Sequence, residues 1–205
     1  MKYLIFDCSA QGKVKDWKAP FSDTFAWPRL LHISWIVLDK DFKLVEDFDF
    51  IVKQDEISSE AKKLCKIDND DIKNKSLPVE EIIDAFNESA EQVEFVISFN
   101  LNFNENVFAA ECIRQSKNSK IFQAEKFCLM QESTFYCKLP GKRGYKWPTL
   151  TQLHALLFKT AFTPPNNARA DVIAATRSFI MLMKLGQLDD LFDEDELEMP
   201  PASEE

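Results

Sequence analysis

The stretch Lys138-Leu139-Pro140-Gly141-Lys142-Arg143-Gly144-Tyr145-Lys146-Trp147 is the most basic in the chain, with four cations and an aromatic ring on each side of Lys146. Cations neutralise phosphates and aromatic faces stack on bases, so Lys142, Arg143 and Lys146 are candidate nucleic-acid contacts. The plainer reading of the same residues is an exposed cationic turn. Asp7, closing an alternating apolar run, reads by itself as a polar strand terminus. Imidazole chemistry has little to draw on. Of two histidines, His32 sits in an apolar strand and His154 beside a Leu150/Leu153/Leu157 stripe, which are structural settings. The only glycines are Gly12, Gly141, Gly144 and Gly186. No G-x-G-x-x-G or G-x-x-x-x-G-K-[ST] phosphate loop can be assembled from them, so no nucleotide cofactor is expected.

The elements that must position these groups follow from periodicity. Residues 2 to 8 alternate as a strand; Gly12, Pro20 and Pro28 mark a long loop. Leu30 to Leu38 and Leu44 to Val52 read as strands joined by a turn at Asp39-Lys40-Asp41. Ser58 and Ser59 cap a short helix through Leu64. Pro78 opens another, with Val79, Ile82, Ile83 and Phe86 at helical spacing. Phe95-Val96-Ile97 is a short buried strand. Helices follow on Phe103/Val107/Ala110/Ile113, on Leu150/Leu153/Leu157, and on Val172/Ala175/Phe179/Leu182 up to Gly186. Asn100 and Asn104 stand where local caps of a helix are expected. The 18 phenylalanines fall mostly on these apolar stripes, so core packing explains them. Strands first, then helices around a further strand, predict one α/β domain: a mixed sheet flanked by helices, over residues 1–188.

The formal charge of -9 comes from the last 17 residues, 189–205, which hold nine acids and no base and leave 25 acids against 25 bases in the body. Such a block reads as a solvated, disordered tail or as a segment that docks on a basic partner. Five cysteines, Cys8, Cys65, Cys112, Cys128 and Cys137, form no C-x-x-C pair. Their odd number argues against a disulfide framework and a structural zinc site, and fits a reducing, cytoplasmic setting. No apolar run approaches the roughly 18 residues of a membrane helix, and the start is too short in apolar residues for a secretory signal.

Four stretches in order resemble the DnaQ-like family of 3′–5′ exonucleases, the DEDDh group with an RNase H-like fold. Tyr3-Leu4-Ile5-Phe6-Asp7-Cys8-Ser9-Ala10-Gln11-Gly12 looks like its first motif, a strand ending in Asp-x-Glu with a glycine beyond. Trp27 to Asp39 looks like its second strand. Phe95 to Asn104, leading into Val107-Phe108-Ala109-Ala110-Glu111-Cys112-Ile113-Arg114, is similar to its second motif, and Asn166-Asn167-Ala168-Arg169-Ala170-Asp171-Val172 to its third, His-x-Ala-x-x-Asp. The likeness spans about residues 2 to 185.

The resemblance implies two divalent cations, Mg²⁺ or Mn²⁺, clamped by four carboxylates, with a histidine taking the proton of the attacking water. It also implies where each group should stand. Asp7 and Asp171 retain two carboxylate positions. Ser9 replaces the glutamate, Asn104 the middle aspartate and Asn166 the base histidine, while Phe99 replaces a family histidine without an assigned role. Two of four charges are lost, so one weakly held Mg²⁺ or Mn²⁺ at Asp7 and Asp171 is expected, without a second. The expected function is an exonuclease-like domain, inactive or very weak, that binds single-stranded nucleic acid or a protein partner. The alternative is an active metal-dependent 3′–5′ exonuclease, like the proofreading subunit of DNA polymerase III, with Glu105 or Glu111 as replacement ligand. A third reading makes the acidic tail the functional part. Gly141-Lys142-Arg143-Gly144 also matches the GXXG of KH domains, where that loop must join two helices.

Overall fold

Alternation along the first strand assigns its two faces. In a computed structural model describing residues 1–54, 57–160 and 167–192, β1 (Lys2–Gln11) lies inside a six-stranded sheet. Leu4, Phe6 and Cys8 enter one apolar cluster, while Tyr3 and Ile5 enter another on the opposite face, as a two-residue period requires. Asp7 and Ser9 continue the second series.

β2 (Arg29–Asp39) pairs antiparallel with β1, and β3 (Leu44–Val52) antiparallel with β2. The expected turn between them forms, Asp39 accepting from the backbone N–H of Asp41 and Lys43. α1 (Ser59–Cys65) carries Ser58 as its N-cap, as expected. α2 (Asn69–Lys75) and β4 (Ser76–Leu77) follow, neither foreseen from periodicity; α2 starts on a capping box of Asp68 and Asp71. α3 (Val79–Ala90) buries Val79, Ile82, Ile83 and Phe86. β5 (Phe95–Ser98) lies parallel to β1 and leads into α4 (Leu101–Arg114). Beyond these come β6 (Glu125–Cys128), α5 (Leu129–Glu132), α6 (Thr134–Cys137), the hairpin of β7 (Pro140–Gly141) and β8 (Gly144–Tyr145), α7 (Leu150–Phe158) and α8 (Ala168–Lys184). The sheet order is β4-β3-β2-β1-β5-β6, mixed and flanked by helices as expected.

The α3 and α4 side of the sheet holds Trp35, Phe86 and Phe108, with Trp35 and Phe86 rings 5.3 Å apart. On the other side α7 and α8 bring Leu153, Val172 and Phe179 onto Tyr3 and Ile97. Packing runs past the expected boundary at residue 188. Leu191 and Phe192 join this second cluster, and the Phe192 ring lies 5.0 Å from both Phe95 and Phe127. The remainder of the acidic tail, 193–205, lies outside the described residues.

The KH-like reading of Gly141-Lys142-Arg143-Gly144 is corrected here. A KH loop joins two helices, whereas Lys142 and Arg143 form the two-residue tip between β7 and β8. Gly144 holds φ at 115°, a conformation that glycine adopts without steric cost.

Candidate functional site

A cleft of about 550 Å³ opens at the end of β1, lined among others by Asp7, Ser9, Gly12, Cys65, Phe99, Phe103, Asn104 and Asp171. Sheet topology explains the assembly. Parallel β1 and β5 deliver Asp7 and the start of α4 to the same end of the sheet, and α8 crosses behind them.

Asn104 decides the chemistry of this cleft. It is the fourth residue of α4, only 1% exposed, and its side-chain oxygen accepts from the Cys8 backbone N–H at 3.0 Å. An N–H can only donate, so this bond fixes the orientation of the amide. Its Nδ2 is thereby turned on Asp7, donating to Oδ1 at 2.9 Å, and also to Ser98 Oγ at 2.5 Å. A hydrogen-bond donor thus stands against the Asp7 carboxylate. The capping role expected for Asn104 is therefore wrong, and Asn100, though at the N-cap position, makes no side-chain cap bond.

Ser9 is equally committed. Its Oγ accepts from the Ala168 backbone N–H at 3.1 Å, tying β1 to the first residue of α8. The cap of that helix is Asn167, accepting from Arg169 and Ala170 N–H and donating to the Cys65 carbonyl at 2.8 Å. Sequence reasoning missed Asn167, although an asparagine directly before a helical run is an N-cap signal. Asn166, the position of the family histidine, lies outside the described residues.

Asp171, in the first turn of α8, is drawn up to about 6 by burial, and its Oδ1 is buried without a hydrogen-bond partner among the described residues. Asp7 is pushed well above the ordinary carboxylate range, first by burial and then by the Asp171 charge, against the opposing Asn104 bond. An unfolded aspartate titrates near 3.9, so between about 4 and 6 the folded chain holds the Asp171 proton more tightly. That contribution is present below about pH 4 and is lost as pH rises through about 6. Asp171→Asn is accordingly expected to raise the melting temperature at pH 8 by roughly 3–6 °C, the gain fading toward pH 4. Thermal denaturation across that range checks it; a gain that grows on acidification refutes it.

These residues do not fit a two-cation centre. Among the described residues no group of three or more His, Cys, Asp or Glu is arranged to hold a metal ion. The replacement ligands are also spoken for. Glu105 pairs with Lys126 at 2.7 Å, and Glu111, fully buried, is held by Arg29 and Arg114 at 2.8 Å each. His32 is buried against Asp49 at 2.7 Å and His154 is buried on α7, where burial and then the Arg177 charge lower its pKa. Neither lines the cleft.

The cationic segment lies next to the cleft in the chain. Lys142, Arg143 and Lys146 are exposed, as are Phe135, Tyr145 and Trp147, with the Phe135 and Tyr145 rings 6.2 Å apart. Immediately beyond them Thr149, Leu150 and Thr151 line the cleft itself.

No protein-family model matches the sequence, and no curated protein matches it. Solved structures do. Exonuclease I of E. coli, in complex with an oligonucleotide, superposes with a TM-score of 0.65 at 15% identity, over 93% of this chain and 43% of that one. A 3′-exonuclease with 3′-end specific recognition of histone mRNA stem-loop gives 0.66 at 12%, over 90% and 82%. Cell-death related nuclease 4 gives 0.66 at 11%, over 90% and 64%. The chain spans less than half the length of exonuclease I. The fold is that of the RNase H-like 3′-exonucleases, as the motif order implied.

Proposed function

We propose that this chain uses a 3′-exonuclease fold to hold single-stranded nucleic acid without hydrolysing it. The observation that carries the reading is the Asn104 amide, locked by Cys8 and turned on Asp7 in place of an anionic ligand. Two carboxylates in place of four support at best one weakly held Mg²⁺ or Mn²⁺ between Asp7 and Asp171, because Mg²⁺ sheds water reluctantly without anionic ligands. Asparagine at 166 has no proton-accepting group near neutrality, and neither histidine lines the cleft.

Binding is supported by the hairpin, where Lys142, Arg143 and Lys146 offer charge and Tyr145 and Trp147 offer stacking faces ahead of the cleft-lining Thr149. The similar exonuclease structures that contain an oligonucleotide or concern a histone mRNA stem-loop point the same way. A reducing, cytoplasmic setting agrees with five free, buried cysteines. No helix among the described residues is long and apolar enough to cross a membrane.

Fluorescence anisotropy with a labelled single-stranded oligonucleotide, in EDTA and in millimolar Mn²⁺, tests both halves. The expected result is the same affinity in either buffer and no release of nucleotides. Manganese-dependent nucleotide release by the unmodified chain would overturn the silent reading, and absence of binding in both buffers would overturn the binding one.

A further inference from the structure

A second pocket, of about 470 Å³, opens between the β1–β2 loop and the C-terminal end of α4 and shares Gly12 with the main cleft. Lys13, Lys15, Arg29 and Arg114 line it, and no acidic side chain does. Glu111 accounts for the two arginines of this gathering. Its buried carboxylate accepts from Arg29 Nε and Nη2, from Arg114 Nη1 and from the Leu30 backbone N–H. Two guanidinium groups on one carboxylate leave a net positive charge on the pocket wall before the lysines are counted.

The two arginines then differ. Arg114 is used up, its Nη2 donating to the Thr24 and Trp27 carbonyls at 2.6 and 2.7 Å. Arg29 keeps capacity: its side chain is 54% exposed, and Nη1 makes no bond among the described residues. Lys13 and Lys15 are exposed and form no ion pair among the described residues. The acids of this loop are turned to other work, Asp16 accepting from Lys18 N–H and Asp23 from Phe25 N–H. Phe25 is 83% exposed on the rim, a free aromatic face. Arg29 held in place by a buried anion, two exposed lysines beside it, no acid in the lining and a ring on the rim together suit an anion attached to something that stacks.

We propose that the pocket of Lys13, Lys15 and Arg29 binds phosphate, supplied by the backbone of a nucleic-acid strand that crosses Gly12 from the main cleft. The strand as source rests on the function proposed above; the phosphate chemistry does not, since a free phosphate compound would meet the same donors.

The full chain and a Lys13→Glu/Lys15→Glu variant are compared with two probes. With a labelled single-stranded oligonucleotide at about 0.1 M salt, the variant should bind on the order of tenfold more weakly. Its plot of log affinity against log salt should be shallower by about 1.4, or 0.7 for each of two phosphates no longer contacted. With inorganic pyrophosphate, the Arg29 side-chain N–H resonance should shift in the parent and not in the variant. Both lysines are exposed, so the variant should keep the parent's melting temperature, which is measured alongside. If parent and variant bind the oligonucleotide equally while pyrophosphate still moves Arg29, the site is real and its source is a free phosphate compound. Equal oligonucleotide binding with no pyrophosphate effect overturns the pocket and leaves the proposed function standing. If the oligonucleotide binds neither protein, the proposed function fails and the pyrophosphate titration alone decides the pocket.

Discussion

Ser9→Glu, Asn104→Asp and Asn166→His together are expected to give the chain manganese-dependent exonuclease activity at least about a hundredfold above the parent's, the lower end of what a positioned general base contributes. The gain is expected because Asn104 already faces Asp7 and position 9 shares the Asp7 face of β1. Aspartate at 104 keeps an oxygen for the Cys8 N–H and exchanges the donor facing Asp7 for a second oxygen. Glutamate at 9, two residues along β1 from Asp7, projects from the same face of the strand. Histidine at 166 supplies the proton acceptor that asparagine lacks.

The single change Asn104→Asp provides a readout independent of turnover. It brings a third carboxylate to Asp7 and Asp171, and uncompensated like charges in a buried site are unfavourable without a cation. Its melting temperature in EDTA should fall below the parent's by roughly 4–8 °C and recover in millimolar Mn²⁺, while the parent's responds far less to the change of buffer. An Asn104→Asp protein indifferent to Mn²⁺ would mean that the amide does not stand in a cation's place. A triple variant that binds manganese yet degrades nothing would move the deficiency to parts of the cleft other than its charges.

Glu111→Gln should produce the largest loss of stability, about 3–5 kcal/mol, the range for removing one partner of a buried ion pair. At this chain length that is a drop in melting temperature of about 10 °C. The side chain is 0% exposed and takes three guanidinium bonds from Arg29 and one from Arg114, plus the Leu30 N–H. Glutamine matches its size but leaves two guanidinium groups facing a neutral amide. Arg114 also anchors the β1–β2 loop through the Thr24 and Trp27 carbonyls, so the loop should loosen with it.

The pH dependence of this loss has a definite sign. Burial works to raise the Glu111 pKa, but the Arg29 bonds and charge, then the Arg114 charge, outweigh it and hold the carboxyl below its usual range. A glutamate in the unfolded chain titrates near 4.3, so the stabilisation is present above that pH and fades as pH falls through the lower folded value. Parent and Glu111→Gln should therefore converge in stability on acidification. A loss under about 1 kcal/mol at pH 7, in the range of a surface pair, would mean that the cluster is solvated.

Much of the fold was legible because its long elements have clean periods. Alternation gave β1 and β3, helical spacing gave α3 and α8, and Ser58 marked the start of α1. What periodicity missed is short. β6 is four residues, Glu125-Lys126-Phe127-Cys128, and exists as a strand through its parallel pairing with β5. α5 and α6 are single turns and β4 is two residues; none is long enough for its period to repeat. The hairpin at Lys142 and Arg143 was legible as a turn but not as a strand pair, because its strands are two residues each.

By itself the sequence determined which residues fall in one place: the motif order carried Asp7, Ser9, Asn104 and Asp171 to one cleft, because residue type and spacing survive folding unchanged. It also determined how much negative charge that cleft can carry. Only the tertiary structure decided how Asn104 faces, since an amide offers a donor and an acceptor with nearly the same shape. The choice was made by a backbone N–H 96 residues away in the chain. The same holds for Glu111, a candidate ligand on the page of letters, which packing removed from the cleft by closing Arg29 and Arg114 around it. Charge is written in the residue, but its direction is fixed by whichever partner the fold brings within hydrogen-bonding distance.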